Sequence, residues 1–374
     1  MLPRSYMPLG KHMEPGKVLV LYGPRRSGKT TLVRSLTENT SFRYRFDSGE
    51  NIRVQEVLSS NDFDRIREYV GENELIIVDE AQNIPNVGAG LKILVDHFPH
   101  VRVVATGSSS FDLANQVGEP LVGRKKTLLL YPFSQMELAE TFSVFDVKNN
   151  LERYLLYGSY PDVVAAKNDQ ERREFLSEIA DAYLLKDILA FEGIRKSSTV
   201  IDLVRLLALQ IGSEVSYSEL ANKLSVSVQT VERYLDLLEK SFVIVSLGAF
   251  KRNLRNEIRS KKKYYFYDVG VRNAVLSQFN ALHLRDDTGA LWENFLVMER
   301  LKRCEYGREF ANRYYWRTYE QEEIDFIEER EGMLHAYKFK WGRPRSGLSE
   351  TFSNAYPNSS FSWVTQENYW DFVG

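Results

Sequence analysis

The sequence predicts an α/β fold: a parallel sheet first, then a helical region, a helix-turn-helix and a second α/β part. Three observations carry this expectation. Residues 18–22, all apolar or β-branched or aromatic, run into Gly23-Pro24-Arg25-Arg26-Ser27-Gly28-Lys29-Thr30-Thr31, and Leu32, Val33 and Leu36 follow at helical spacing. That order is strand, glycine-flanked loop, helix. Residues 75–78 are apolar throughout and end in Asp79-Glu80, and a strand apolar on both faces is what a parallel sheet requires. From residue 200 an apolar helix, a shorter helix, a brief turn, an amphipathic helix and a strand succeed one another.

Composition sets outer bounds. The 374 residues suffice for two or three domains with their own cores. Lys and Arg number 49 against 51 Asp and Glu, a net charge of -2, so any nucleic-acid surface has to be a local patch. The one cysteine, Cys304, excludes an internal disulfide framework and fits a reducing compartment. No apolar run approaches a membrane span, and residues 1–17 lack the apolar core of a secretion signal. The expectation is a cytoplasmic protein with no membrane partner. His12, His97, His100, His283 and His335 show no metal-ligand spacing.

The lead-in, residues 1–17, closes at the turn Glu14-Pro15-Gly16-Lys17 before the first strand. The loop that follows has the spacing GxxxxGK(S/T), and its chemistry explains each residue type. Gly23 and Gly28 let backbone N–H groups turn inward toward a polyphosphate, and the helix from Lys29 adds the positive end of its dipole. Lys29 is placed to reach the β- and γ-phosphates and Thr30 to offer its hydroxyl to Mg²⁺. Arg25 and Arg26 belong to the loop, with side chains expected in solvent.

Residues 42–46 read as a second strand. The Asp79-Glu80 pair after residues 75–78 has the Walker B arrangement, Asp79 holding the Mg²⁺ shell and Glu80 polarising the attacking water. The next apolar run, 101–105, belongs on a strand between the first and third and ends in Thr106-Gly107-Ser108-Ser109-Ser110. Ser108 is the candidate for a polar group beside the γ-phosphate; the equal alternative is that these hydroxyls cap a helix. Residues 127–131 read as a fifth strand. Arg124, just before it, is a candidate for stabilising γ-phosphate charge in its own site or across a subunit boundary, against the alternative of a surface arginine.

GPRRSGKTTL, LIIVDEAQ, ATGSSS and VGRKKTLLLYPFSQMEL resemble the AAA-type ATPases that precede a DUF4143 domain, a prokaryotic family. The resemblance covers nearly the whole chain. It implies adenine in the nucleotide, hence ATP, and four parts: a P-loop ATPase domain at 1–132, a helical lid at 133–196, a winged helix-turn-helix at 197–263 and, at 264–374, an α/β fold related to the PD-(D/E)xK, restriction-endonuclease-like nucleases.

The residues of the later parts read as follows. Leu151, Tyr154, Leu155, Ile179, Tyr183 and Leu184 recur at three and four, and Gly158-Ser159-Tyr160-Pro161 breaks the helical pattern. The would-be recognition helix carries Glu232, Asp236 and Glu239, a poor match for phosphates. The stretch behind it is basic: Lys251, Arg252, Arg255, Arg259, Lys261, Lys262 and Lys263 stand against one acid, Glu257. If it forms the wing, DNA contact falls to it; a solvated hairpin or a protein-docking surface is the even alternative.

In the last part, Glu293, Asp325 and Lys340 match the positions that bind Mg²⁺ and activate water in the nucleases, but Lys338 stands where their second acid belongs. Lys338 and Lys340 then crowd the metal position, and Lys338 is expected to pair with Asp325 or Glu293 in place of the metal. Glu323 is the one residue that could restore binding. The reading is an ATPase moving its winged helix and a degenerate nuclease domain, with DNA an open partner and oligomers allowed. A nucleotide-gated switch with little turnover is the alternative, and an active nuclease conflicts with Lys338.

Overall fold

A computed structural model describes residues 2–108, 120–182, 197–251, 261–318, 322–344 and 350–374. The chain divides into two compact units, one of residues 1–133 with 240–242 and one of residues 134–239 with 243–374.

The first unit is a five-stranded, wholly parallel sheet in the order β2-β3-β4-β1-β5. Its strands are β1 (Val18–Tyr22), β2 (Tyr44–Ser48), β3 (Leu75–Asp79), β4 (Arg102–Gly107) and β5 (Lys125–Leu129). Every residue of β1 and β3 is buried, which is why their sequences are apolar without alternation. Strand β4 lies between β1 and β3 as expected, and β2 and β5 are displaced by two residues from their expected starts. Helices α1 (Lys29–Glu38), α2 (Ile52–Ser59), α3 (Phe63–Val70) and α4 (Val87–His97) connect them. Asn51 and Asp62 cap α2 and α3 by accepting from backbone N–H groups of their first turns. Val54, Leu58, Ile66, Leu91 and Leu94 pack with Ile76 and Val78 in one core.

The second unit begins with short helices: Gln135–Thr141, Val144–Asn149, Leu151–Tyr157, Pro161–Ala165 and Asp169–Ala182. A capping box between Ser134 and Glu137 starts the first. The break at Gly158-Ser159-Tyr160-Pro161 has a specific cause. Gly158 has φ 69°, and a Cβ there would overlap the Asp268 carboxylate, which accepts from Ser159 N at 2.8 Å. Tyr183 and Leu184 lie outside the described residues.

Helix Ser197–Leu209 precedes β6 (Glu214–Val215), then helices Tyr217–Leu224 and Val228–Lys240 joined by a turn with Ser225 left-handed. Strands β7 (Ile244–Ala249) and β8 (Lys262–Phe266) pair antiparallel. Helix Thr288–Gly307 follows, then β9 (Asn312–Arg317), β10 (Glu323–Arg330), β11 (Met333–Phe339) and β12 (Ser359–Val364). All seven strands form one mixed sheet, β12-β11-β10-β9-β7-β8-β6, closed at its centre by parallel pairing of β7 with β9. The border expected at 263/264 therefore falls inside a strand, β8. Asn294 secures the long helix to that strand: its side chain accepts from Phe266 N and donates to Phe266 O, both at 2.8 Å.

Ile77, wholly buried in β3, tests the first sheet. Ile77→Ala is expected to cost about 2–5 kcal/mol by transfer and cavity terms, measured by urea denaturation; a loss under about 1 kcal/mol would mean the strand is not packed on both faces.

Candidate functional site

The parallel register brings the C-terminal ends of β1, β3 and β4 to one edge of the first sheet. There β1 passes into the loop 23–30. Gly23 is required by a close approach, since a Cβ would lie 2.1 Å from Leu130 O, and Gly28 has φ 95°. Gly28 is also the N-cap of α1 and makes no side-chain cap, leaving that turn's N–H groups directed into the loop. The buried Lys29 ammonium folds back over the loop and donates to Gly23 O and Pro24 O, both at 2.8 Å. Below, the buried Arg4 guanidinium donates to Ser27 O at 3.2 Å and to Tyr131 O, and lies over the Phe133 ring. The lead-in is thus part of the loop's support, which its sequence did not signal.

Two side chains meet Asp79 from either side. Thr30 Oγ1 donates to Asp79 Oδ2 at 2.9 Å, and Thr106 Oγ1 donates to Asp79 Oδ1. Thr106 Oγ1 also accepts from Glu80 N at 3.1 Å. Glu80 itself is left-handed, with φ 51°, a costly conformation for a residue with a side chain. Gly49 packs against its carbonyl, where a Cβ would come within 2.3 Å. Gln82 Nε2 donates to Glu80 Oε2, while the buried Gln82 Oε1 accepts no hydrogen bond among the described residues.

The structure brings Lys29, Thr30, Asp79 and Glu80 together. Ser108 is buried one residue beyond β4, but the hydroxyl engaging Asp79 is that of Thr106, which sequence reasoning passed over. Only strand register joins the two: β3 and β4 pair in parallel with Val78 opposite Ala105, so their next residues, Asp79 and Thr106, are neighbours. Arg124 is not brought to the loop. Its carbonyl accepts from Val18 N at the start of β1, and its Nε donates to Asp96 Oδ1 at 2.5 Å. That is the opposite edge of the sheet, about 17 Å away at strand rise, so it does not approach the loop 23–30 of its own chain.

A Mg²⁺ ion fits this donor set. A hydroxyl and a carboxylate oxygen already converge at 2.9 Å, and the ion prefers few protein oxygens completed by water and substrate phosphates.

Residues 15–139 match the family described as an AAA domain, 148–282 a domain of unknown function, DUF8612, and 288–367 a domain of unknown function, DUF4143. The chain carries an AAA-type ATPase domain followed by a DUF4143 domain. An uncharacterized protein of Mycobacterium tuberculosis is 29% identical over 336 residues, 89% of this chain and 72% of the relative. One of Haemophilus influenzae is 25% identical over 305 residues, 76% of this chain and 74% of the relative. A Walker-type ATPase of Pyrococcus abyssi is similar in structure, with 17% identity, 69% of this chain and 91% of that one covered, and a TM-score of 0.44.

The second candidate cluster joins residues of the DUF4143 match to Lys263 and Tyr265 of the segment before it. Glu293, on the long helix, accepts from Tyr265 OH at 2.7 Å and from Lys263 Nζ at 3.0 Å; Lys263 also meets Glu323 Oε1 at 2.5 Å. Asp325 accepts from Phe339 N at 2.6 Å and lies 3.5 Å from Lys338 Nζ, which also donates to Glu323 O. The expected pairing of Lys338 with Asp325 is present, and Lys340 is exposed just past β11. Lys263 requires a correction. Expected on a DNA-facing wing, it is 1% exposed and internally paired, because β8 is the sheet's second strand from one edge and turns this side chain inward. Lys251 and Lys261 are exposed and Lys262 half-buried; Arg252, Arg255 and Arg259 lie outside the described residues.

Burial pushes Glu293 up to about 7 from its ordinary 4.5, only partly opposed by Lys263, and burial likewise raises Asp325. For Lys263 burial acts against the charge, but Glu293, Glu323 and Asp325 outweigh it and hold it raised. A raised carboxyl favours the folded state most below its unfolded pKa and loses that contribution as pH climbs to the folded value. Between its ordinary 4.5 and about 7, Glu293 makes stability fall with pH. Glu293→Gln cannot ionise, so the variant is expected to gain on the wild type across this window in thermal melts. Parallel curves would remove Glu293 as the titrating group.

Proposed function

We propose that this chain binds Mg-ATP at the loop 23–30 and hydrolyses it to ADP and phosphate. Gly23, Pro24, Arg25, Arg26, Ser27, Gly28, Lys29, Thr30 and Thr31 form the phosphate cradle in this reading. The observation that carries it is the meeting of Thr30 with Asp79 at the sheet edge that also holds Lys29 and Glu80. Lys29 exchanges its two carbonyl partners for phosphate oxygens. When bound, Mg²⁺ neutralises charge on the β- and γ-phosphates. Thr106 holds Asp79 in line with Thr30, and Glu80 accepts the proton of the attacking water. Gln82, whose amide touches Glu80 and whose oxygen is free to accept, orients that water or restrains Glu80 until it arrives.

We further read helices Tyr217–Leu224 and Val228–Lys240 with β7 and β8 as a winged helix-turn-helix, residues 133–196 as a lid, and the DUF4143 domain as a degenerate nuclease-like fold moved by hydrolysis. DNA would meet the exposed Lys251 and Lys261 and the half-buried Lys262. An assembly in which Arg124 meets a neighbouring copy's nucleotide is compatible with its place at the far edge of the sheet. The switch reading, with slow turnover, is favoured by one observation, the Gln82 hydrogen bond on Glu80.

The test is steady-state ATP hydrolysis with and without DNA, with Lys29→Ala as blank. Glu80→Gln is expected to lower kcat by roughly 10²–10⁴-fold while nucleotide still binds. Turnover that rises with DNA and falls with salt supports the coupled ATPase; tight nucleotide with negligible turnover, indifferent to Glu80→Gln, leaves the switch. Thr106→Val removes one charge-assisted bond to Asp79, worth about 1.5–3 kcal/mol, and is expected to reduce turnover roughly tenfold to hundredfold. Unchanged kinetics would show that Asp79 is held without it.

A further inference from the structure

The resemblance to metal-dependent nucleases implies a divalent cation near Glu293 and Asp325, and the residues present do not fit one. Three carboxylates do gather: Glu293 from the long helix, Glu323 and Asp325 from β10. A lysine ammonium is already among them. Lys263 Nζ lies 3.0 Å from Glu293 Oε1 and 2.5 Å from Glu323 Oε1, with its side chain 1% exposed. On the far side Lys338 faces Asp325, and the Arg317 guanidinium stands 3.7 Å from Glu323 Oε2. The remaining oxygen of Asp325 accepts from Phe339 N. Gly212 closes the cluster over Glu293, where even a Cβ would come within 3.1 Å of its carboxyl carbon.

We propose that Lys263 is a built-in counter-cation: its ammonium takes the place among these carboxylates that a hard divalent ion would need. A primary ammonium offers three donors and one positive charge, and a buried carboxyl that stays ionised does so by pairing with a cation. With the lysine covalently fixed on β8, the local concentration of the competing charge cannot be diluted away, so a free divalent ion has to displace a tethered one. The consequence is that the DUF4143 domain of this chain does not carry out metal-dependent phosphodiester cleavage at this cluster. Strand spacing singles out Lys338 instead, but Lys338 touches Asp325 alone among the three carboxylates, whereas Lys263 bridges the helix to β10.

The full-length chain tests this with Mn²⁺ as the probe, its free signal followed by electron paramagnetic resonance. The wild type and Lys263→Arg, which keeps the charge, are expected to show no Mn²⁺ binding that depends on Asp325. Lys263→Ser, which removes the ammonium and leaves space, is expected to bind Mn²⁺ at least roughly tenfold more tightly than the wild type, and to lose that gain with Asp325→Asn. If Lys263→Ser unfolds without metal, its refolding on Mn²⁺ addition, followed by circular dichroism, supports the same conclusion. A folded Lys263→Ser chain that binds no more Mn²⁺ than wild type, an unfolded one that Mn²⁺ does not recover, or Asp325-dependent binding by the wild type each overturns it.

Discussion

In the first unit the parallel pairing of β3 with β4 and of β4 with β1 governs everything at the edge that carries the loop 23–30. Residues that are far apart in the chain leave the sheet at the same level, so Lys29, Asp79 and Thr106 converge without any of them being near another in sequence. The apolar strands beneath are wholly buried, and close-packed interiors transmit displacement rather than absorb it. A rigid floor of this kind holds Asp79 between two hydroxyls at hydrogen-bond distance. The strained backbone of Glu80 is then sustained from outside, by Thr106 at its N–H and Gly49 against its carbonyl.

In the second unit several charged side chains are buried. Lys263, Arg272, Glu299, Arg300, Lys302 and Glu328 are all sequestered with partners. Arg300 meets both oxygens of Glu328 at 2.9 and 2.7 Å, a bidentate geometry that offsets part of the desolvation cost. Breaking one member of such a pair leaves the other charged in an apolar setting, which is the more damaging event. Two of these pairs tie the long helix to strands, Glu293 to Lys263 of β8 and Arg300 to Glu328 of β10.

What could be read beforehand depended on whether the signal was local. The phosphate loop was legible because its residues are consecutive and its glycines have a conformational duty. The buried strands β1, β3 and β4 were legible from their apolar runs. Thr106 was not, because its partner lies 27 residues earlier and only strand register joins them. Lys263 was misread because a basic run looks solvated until one knows that one member sits within a sheet. For Arg124 the own-chain alternative could have been set aside from strand direction: a residue that precedes a parallel strand is at the edge away from the loop 23–30. Arg4 gave no signal, since a lone arginine in a lead-in has no pattern.

The seven-stranded sheet has a bearing on how this chain can be divided. Family boundaries place residues 148–282 and 288–367 in separate domains, yet β7 from the former pairs directly with β9 of the latter. Severing the chain between them would strip β9 of a neighbour and leave a row of unsatisfied N–H and C=O groups along its edge, open to pairing with any other chain. The piece so released would also lack Phe266, the backbone partner of Asn294. The two family segments are therefore halves of one folding unit, and neither completes its sheet without the other.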